Sequence, residues 1–327
     1  MPPYLKKGDI VAIAAPARKV TRQELAPAVK LLQSWGLKVL LHERLFDADN
    51  QFAGSDRVRA QVMQELLDNP DIRAIFCARG GYGTVRIIDK LDFTKFAAAP
   101  KWIVGYSDIT VLHSHIHRHL GIETLHATMP INITDRAFRS PAVETMRQQL
   151  FGEPVSYTCA THKLNRKGKA EGLLVGGNLS MLYSLCGSAS DIDTDGKILF
   201  IEDLDEYLYH IDRMMMNLKR CGRLAHLAGL VVGQMSDMHD NSIPFGRTAE
   251  EIVSDAASEY GYPVCFNFPA GHNGTENSAL KLGHRTTLVV DETVSLKQKI
   301  FADNKTPNSW NIYLKNKSQR SPTRKNQ

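Results

Sequence analysis

Cysteine is scarce in this chain and forms no pattern. The five present, Cys77, Cys159, Cys186, Cys221 and Cys265, are odd in number and widely spaced, with no C-x-x-C pair among them. That spacing excludes a disulfide framework and a cysteine zinc site, and points to reduced thiols in a cytoplasmic setting. Long apolar runs are also missing. No stretch approaches the ~20 apolar residues of a membrane-spanning helix. Near the amino terminus Lys6-Lys7 precede an apolar run from Ile10 to Ala15, but it sits behind Asp9 and is shorter than the about 7–15 residues of a signal-peptide core. It reads as the first buried strand. Neither G-x-x-x-x-G-K-[ST] nor G-x-G-x-x-G occurs, so neither common phosphate-binding glycine loop is available. His113, His115, His117 and His119 offer the i, i+4 spacing of a metal pair. No H-E-x-x-H glutamate and no acidic third ligand accompany them, so they read as ordinary helix residues and no metal is expected.

Charge is unevenly placed. The formal net charge is +5, yet the stretch from 304 to 327 holds six basic residues and no acidic one, leaving the rest of the chain at one net negative charge. The body of the protein is therefore not a nucleic-acid surface, and the tail, rich in Asn, Ser and Lys, reads as a partly disordered end.

What the chain does contain is an alternation of short apolar strands and helices. With 327 residues, 43% of them apolar and 23% charged, two domains of ordinary size are expected. From Ile10 to His126 strands near 10–15, 37–41, 74–78, 102–104 and 123–126 alternate with helices near 22–35, 55–68, 84–89 and 93–98. Such alternation predicts a Rossmann-like parallel sheet covered on both faces, with its functional edge at the carboxyl ends of the strands. A weakly periodic stretch with Pro154 predicts a linker over 151–169. It separates a first domain, 1–150, from a second, 170–303, with 304–327 as the tail. The second domain should be α/β and rich in strands, near 170–175, 197–201, 228–232 and 264–268, closed by a hairpin over 286–290 and 294–296. A helix opening at Gly176-Gly177-Asn178 is expected after its first strand. No internal repeat is present.

Four strand ends carry candidate chemistry. Trp102 to Val104 runs through Gly105-Tyr106 into Ser107, and a helical pattern follows from Asp108. A serine at such a corner either caps the helix or presents a nucleophilic hydroxyl beside the helix amino terminus. Arg79-Gly80-Gly81-Tyr82-Gly83 is either a tight turn or backbone placed close to a ligand, as an oxyanion donor requires. Glu202-Asp203 closes an apolar strand, where carboxylates serve catalysis or cap the next helix. His272 stands in a loop between Gly271 and Gly274. The chain order serine, acid, histidine is one of the orders in which hydrolase triads occur.

Taken together, GYSDIT at Ser107, RGGYG at Arg79–Gly83, GGN at Gly176–Asn178, IED at Ile201–Asp203, Tyr209-x-Ile211-Asp212-Arg213 and Gly271-His272 resemble the LD-carboxypeptidase family of serine peptidases. That family includes muropeptide LD-carboxypeptidases and microcin C immunity peptidases, and the resemblance spans about residues 5–290. It implies a nucleophile at Ser107, a general base at His272 and an orienting acid at Glu202. The oxyanion hole would be formed by the backbone N–H groups of Gly81 and Asp108. It also implies an active site in the interdomain cleft, a cytoplasmic homodimer, and no cofactor. The substrate would be a murein tetrapeptide from which the terminal D-amino acid is released. A group for the substrate carboxylate is required as well, and Arg79 and Asn178 are the candidates. Ser107 and His272 should lie about 2.6–3.2 Å apart, or farther without ligand. Two alternatives stand beside this reading: a microcin C-type peptidase acting on an aminoacyl-nucleotide amide, and a non-enzymatic two-domain binder.

Overall fold

The computed structural model describes residues 1–298. The tail assigned to 304–327 and the last residues of the second domain lie outside that range. The chain alternates strand and helix from the start: β1 (Ile10–Ala14), α1 (Arg22–Ser34), β2 (Lys38–Leu41), α2 (Asp56–Asp68), β3 (Ile72–Cys77), α3 (Thr94–Ala98), β4 (Trp102–Gly105), α4 (Thr110–Leu120) and β5 (Thr124–His126). The causes are local. Thr21 and Glu24 close a reciprocal capping box at the start of α1, and Ser55 accepts the Val58 N–H to start α2.

Between β3 and α3 the sequence suggests one helix, whereas two short 3-10 turns form, Thr84–Arg86 and Ile88–Lys90. The Asp108 carboxylate takes the Thr84 N–H at 2.9 Å and the Thr84 hydroxyl as well. The loop is thereby held to the Ser107 corner rather than wound into a helix.

A helix that the periodicity does not announce, α5 (Pro141–Phe151), leads into the region assigned as linker. That region is built into the second unit. It contains β6 (Ser156–Cys159), paired antiparallel with β13 (Val294–Gln298), and Arg166 exchanges backbone hydrogen bonds with Val264. Then follow β7 (Gly168–Asn178), α6 (Leu179–Leu185), β8 (Ile198–Leu204), α7 (Leu208–Arg220), β9 (Gly229–Ser236), α8 (Ala249–Ala256), β10 (Val264–Cys265), β11 (Leu280–Leu282) and β12 (Arg285–Val290). Gly176, Gly177 and Asn178 finish β7, which is longer than expected, and Asn178 caps the helix expected to open there, α6.

Two sheets result. The first has the order β11-β5-β4-β3-β1-β2, and the second β10-β9-β8-β7-β12-β13-β6. In the first sheet β1 to β5 are parallel, and β11 is added antiparallel, with Leu280 opposite His126. Both faces are covered: Val11 and Ile13 enter one apolar cluster, Ala12 and Ala14 the other. The second sheet repeats the pattern, with Leu199 and Ile201 against α7 and α8, and Ile198 and Phe200 against the opposite layer. Alternation of this kind explains why these strands read as continuous apolar runs.

The joint between the units matters most for the site. β11 follows the His272 loop by only a few residues and pairs in the first sheet, so the second unit's loop is carried to the edge of β5. A second tie joins α4 to the second unit. Thr110 Oγ1 accepts the Asn178 N–H at 3.0 Å, the Ser114 hydroxyl donates to Ser190 O at 2.6 Å, and His115 and His119 bond Ser190 and Ala189.

Gly176 shows how tight the β7–β8 contact is. Its φ is +129°, and a Cβ there would stand 1.8 Å from the Phe200 carbonyl oxygen, a backbone atom that has nowhere to move. Gly176→Ala should therefore lower stability by at least about 3 kcal/mol. Gly196→Ala, where a Cβ meets nothing, should cost only about 1 kcal/mol from its positive φ. Denaturation midpoints of the two variants check the contrast.

Candidate active site

Ser107 occupies the corner between β4 and α4 with φ +62°, a left-handed conformation that few non-glycine residues adopt. Its side chain caps nothing: neither the 3-10 turn at Ser107–Ile109 nor α4 has a side-chain cap hydrogen bond. The hydroxyl is half-buried and lies against Gly80, where a Cβ would meet Ser107 Cβ and Oγ at 3.1 Å each. Glycine at 80 spares the hydroxyl that crowding. A left-handed serine at a strand-to-helix corner is the geometry of a nucleophile elbow.

Glu202 lies within β8 and is fully buried. Its Oε2 is 2.6 Å from Nδ1 of the half-buried His272. A carboxylate only accepts hydrogen bonds, so Nδ1 carries the proton and Nε2 is left as the basic nitrogen. The loop is fixed around this pair. Gly271 N–H donates to Asn277 Oδ1 at 2.9 Å, Asn273 N–H donates to Gln234 Oε1 at 2.9 Å, and a Cβ on Gly271 would crowd Glu202 Oε2. Burial by itself would depress the imidazole pKa, but the Glu202 charge and hydrogen bond, with Asp203 behind, outweigh it and raise the pKa above the usual histidine value. Asp203 is pushed up to about 7 by burial and the neighbouring Glu202 charge, while accepting from Asn178 Nδ2 and Ser180 N–H.

The two halves meet at Tyr106. Its ring lies 4.8 Å from the His272 ring and 5.7 Å from that of buried His126. The residue next to Ser107 thus touches the imidazole. Ser107 and His272 are not joined by a hydrogen bond among the described residues. Catalytic hydrogen bonds commonly tighten only in the substrate complex.

On the other side of Ser107 stands the glycine loop. Gly81 is exposed with φ +101°, and the N–H groups of Gly81 and Asp108 donate to no group among the described residues. Asp108 belongs to the first helical turn, whose N–H groups have no intrahelical partner. The loop is anchored from beneath by Arg59, whose side chain is fully buried on α2. Its guanidinium donates to Gly83 O at 2.9 Å, to Pro16 O and to Gly54 O, and it pairs with Asp56. Sequence periodicity gives Arg59 no distinction from a surface residue; only the fold shows it clamping this loop.

The remaining sequence candidates are engaged elsewhere. Arg79 NH1 lies 3.9 Å from Glu24 Oε1, so a carboxylate already faces it. Asn178 caps α6: its Oδ1 accepts from Met181 N–H and the Ser180 hydroxyl, and its amide donates to Asp203. The histidines of α4 serve packing and interdomain bonds. His113 reaches Gly105 O at 2.9 Å, and burial holds its pKa down at about 4.

An α/β protein of two sheets, with a left-handed serine at one strand end and a buried carboxylate–imidazole pair at others, has the layout of a hydrolase. Two regions match described domains: residues 10–127 match the LD-carboxypeptidase N-terminal domain and residues 171–288 the LD-carboxypeptidase C-terminal domain. The chain belongs to the LD-carboxypeptidase family. It is 39% identical over 280 residues to a probable murein peptide carboxypeptidase of Bacillus subtilis, covering 83% of this chain and 86% of that one. The crystal structure of muramoyltetrapeptide carboxypeptidase from Oxalobacter formigenes superposes with a TM-score of 0.81 at 28% identity, covering 90% of this chain and all of that one. The microcin C7 self immunity protein MccF shares the fold, with a TM-score of 0.80 at 23% identity over 91% of this chain and 98% of that one.

Two outcomes follow from this geometry. With His272 as the base that the family resemblance implies, which must be neutral to accept a proton, activity should fall as pH drops through its raised pKa. Glu202→Gln removes the charge that raises it, moving the acid limb to lower pH while plateau kcat drops by roughly 10³–10⁴-fold; pH–rate profiles read both effects. Arg59→Met leaves the Gly83 and Pro16 carbonyls unpaired and frees the loop. Steady-state kinetics should show kcat lower by about tenfold or more with KM less affected.

Proposed function

We propose that this protein is a serine carboxypeptidase that hydrolyses the L,D peptide bond of murein tetrapeptides and releases the terminal D-alanine. The observation that carries this reading is the buried Glu202–His272 pair, 2.6 Å apart, set against the Tyr106–Ser107 corner. The names of the relatives supply the substrate class.

In this mechanism Ser107 Oγ attacks the carbonyl carbon of the scissile bond while His272 Nε2 takes the hydroxyl proton. Glu202 holds the imidazole in the tautomer that leaves Nε2 free and stabilises the imidazolium. The carbonyl oxygen becomes an oxyanion, held by the N–H groups of Gly81 and Asp108. Such donors act only once the charge has formed, and losing one typically costs about 2.7–4 kcal/mol of barrier. As the C–N bond breaks, His272 returns the proton to the leaving amine and D-alanine departs. Water then attacks the Ser107 ester with His272 again as base, releasing the tripeptide and restoring the hydroxyl. All three side chains belong to this chain, and the reaction draws on no organic cofactor.

The family resemblance implies a cytoplasmic homodimer, and sedimentation of the purified protein measures the oligomeric state. One observation favours a second substrate reading. Tyr207 and Tyr209, both exposed, sit just beyond β8 with rings 5.7 Å apart, and Arg213 lies over Tyr209 at 5.2 Å. Such a surface can stack a nucleobase, which would suit an aminoacyl-nucleotide amide.

The deciding experiment is D-alanine release from purified murein tetrapeptide. Wild type should release it and Ser107→Ala should retain no more than about 10⁻³ of the rate. Equal release by both proteins removes Ser107 from the chemistry. No release by either, with cleavage of an aminoacyl-nucleotide, selects the second substrate.

A further inference from the structure

A carboxypeptidase must recognise a free carboxylate one residue beyond the bond it cuts; of the two sequence candidates for that task, Asn178 is spent on capping α6 and Arg79 has a carboxylate of its own, Glu24, 3.9 Å away. Another cation stands at the loop. The stem of Arg18 lies across Gly81: a Cβ on Gly81 would be 2.1 Å from Arg18 Cδ, 2.8 Å from Cγ and 3.5 Å from Nε. Gly80, the preceding residue, is the one pressed against the Ser107 hydroxyl. Two glycines therefore separate Ser107 from Arg18, which places Arg18 Cδ within about 12 Å of Ser107 Oγ by backbone dimensions. The guanidinium reaches farther, and the substrate carboxylate lies roughly 4–5 Å from the scissile carbonyl carbon.

The base of Arg18 is held and its head is free. Lys19 N–H donates to Gln51 O at 3.0 Å and Ala53 N–H to Ala17 O at 3.1 Å, while Arg18 itself bridges Phe52. Pro16, just before, is bound by Arg59. The guanidinium is exposed and makes no ion pair or hydrogen bond among the described residues. An arginine with a fixed backbone and an unspent planar fork beside an anion-stabilising loop suits bidentate capture of a carboxylate.

We propose that Arg18 is the residue that binds the terminal carboxylate of the substrate and so makes this site a carboxypeptidase rather than an endopeptidase. The inference rests on the peptidase reading above and adds to it the residue that sets specificity. It also accounts for Gly81: any side chain there would push Arg18 off the loop, so one position serves both the oxyanion and the carboxylate subsite.

The test compares a tetrapeptide ending in free D-alanine with the same peptide ending in D-alaninamide, for wild type, Arg18→Gln, Arg18→Lys and Arg79→Gln. Wild type should favour the acid. Arg18→Gln should lower kcat/KM for the acid by about 10- to 100-fold, leave the amide nearly unchanged, and so collapse the ratio. Arg18→Lys should recover part of it, and Arg79→Gln should keep it. Equal losses on acid and amide in Arg18→Gln would reduce Arg18 to a support of the loop and overturn the proposal, as would collapse of the ratio in Arg79→Gln instead. If wild type releases D-alanine but Arg18→Gln keeps the full ratio, the carboxylate assignment alone fails. If wild type releases none, the peptidase reading fails and the Arg18 assignment with it.

Discussion

The return of β11 into the first sheet is the constraint on which the site depends. Leu280–Leu282 leave the second unit and pair antiparallel with Thr124–His126, placing the preceding loop with His272 against the edge strand whose neighbour, β4, delivers Ser107. The pairing acts together with the α4 bonds and with α5, where Thr275 O accepts the Ala142 N–H at 3.2 Å and Thr145 Oγ1 accepts the Ala279 N–H at 3.0 Å, to fix the imidazole beside Tyr106. The sheet ladder is cooperative, and Leu280 and Leu282 are buried in the second unit's apolar cluster. Moving the loop therefore means breaking backbone pairs and core contacts together.

Around that joint, polar groups are arranged so that each serves a neighbour. Asp108, nearly fully buried, is pushed upward in pKa by desolvation and countered by the Thr84 N–H and hydroxyl. It ties the Ser107 corner to the glycine loop. Arg59 ties the same loop to the end of β1, and Thr110 ties α4 to the end of β7. Left-handed Ser107 is tolerable because these bonds and the glycine at 80 over-determine it. The same hydrogen bonds that hold the fold also hold the proposed site, and pre-organisation of this kind is what an oxyanion site requires.

Much of this was legible in residue order. The parallel sheet of the first unit followed from alternating apolar runs, and β1, α1, α2, β4 and β5 lie within a residue or two of their expected bounds. The errors have physical causes. The 84–89 segment has helical periodicity, but Asp108 diverts the Thr84 donor. β6 and β11 are too short to show a period, and their pairing partners are distant in sequence. Arg59 and Arg18 carry no motif, since a buried clamp and an exposed reader are both simply arginine until the chain is folded. Arg79 stood out because it adjoins the glycines, yet the fold opposes it with Glu24.

By itself, then, the order of residues determined which chemical groups were available: a serine at a strand-to-helix corner, a carboxylate ending an apolar strand and a histidine between glycines. Those are local facts, set by periodicity and turn chemistry within a few residues. Tertiary structure decided which of them meet, because burial of Glu202, the tautomer of His272 and the freedom of Arg18 each depend on atoms tens to hundreds of positions away. Charge and hydrogen bonding act through space, and only the closed fold sets that distance.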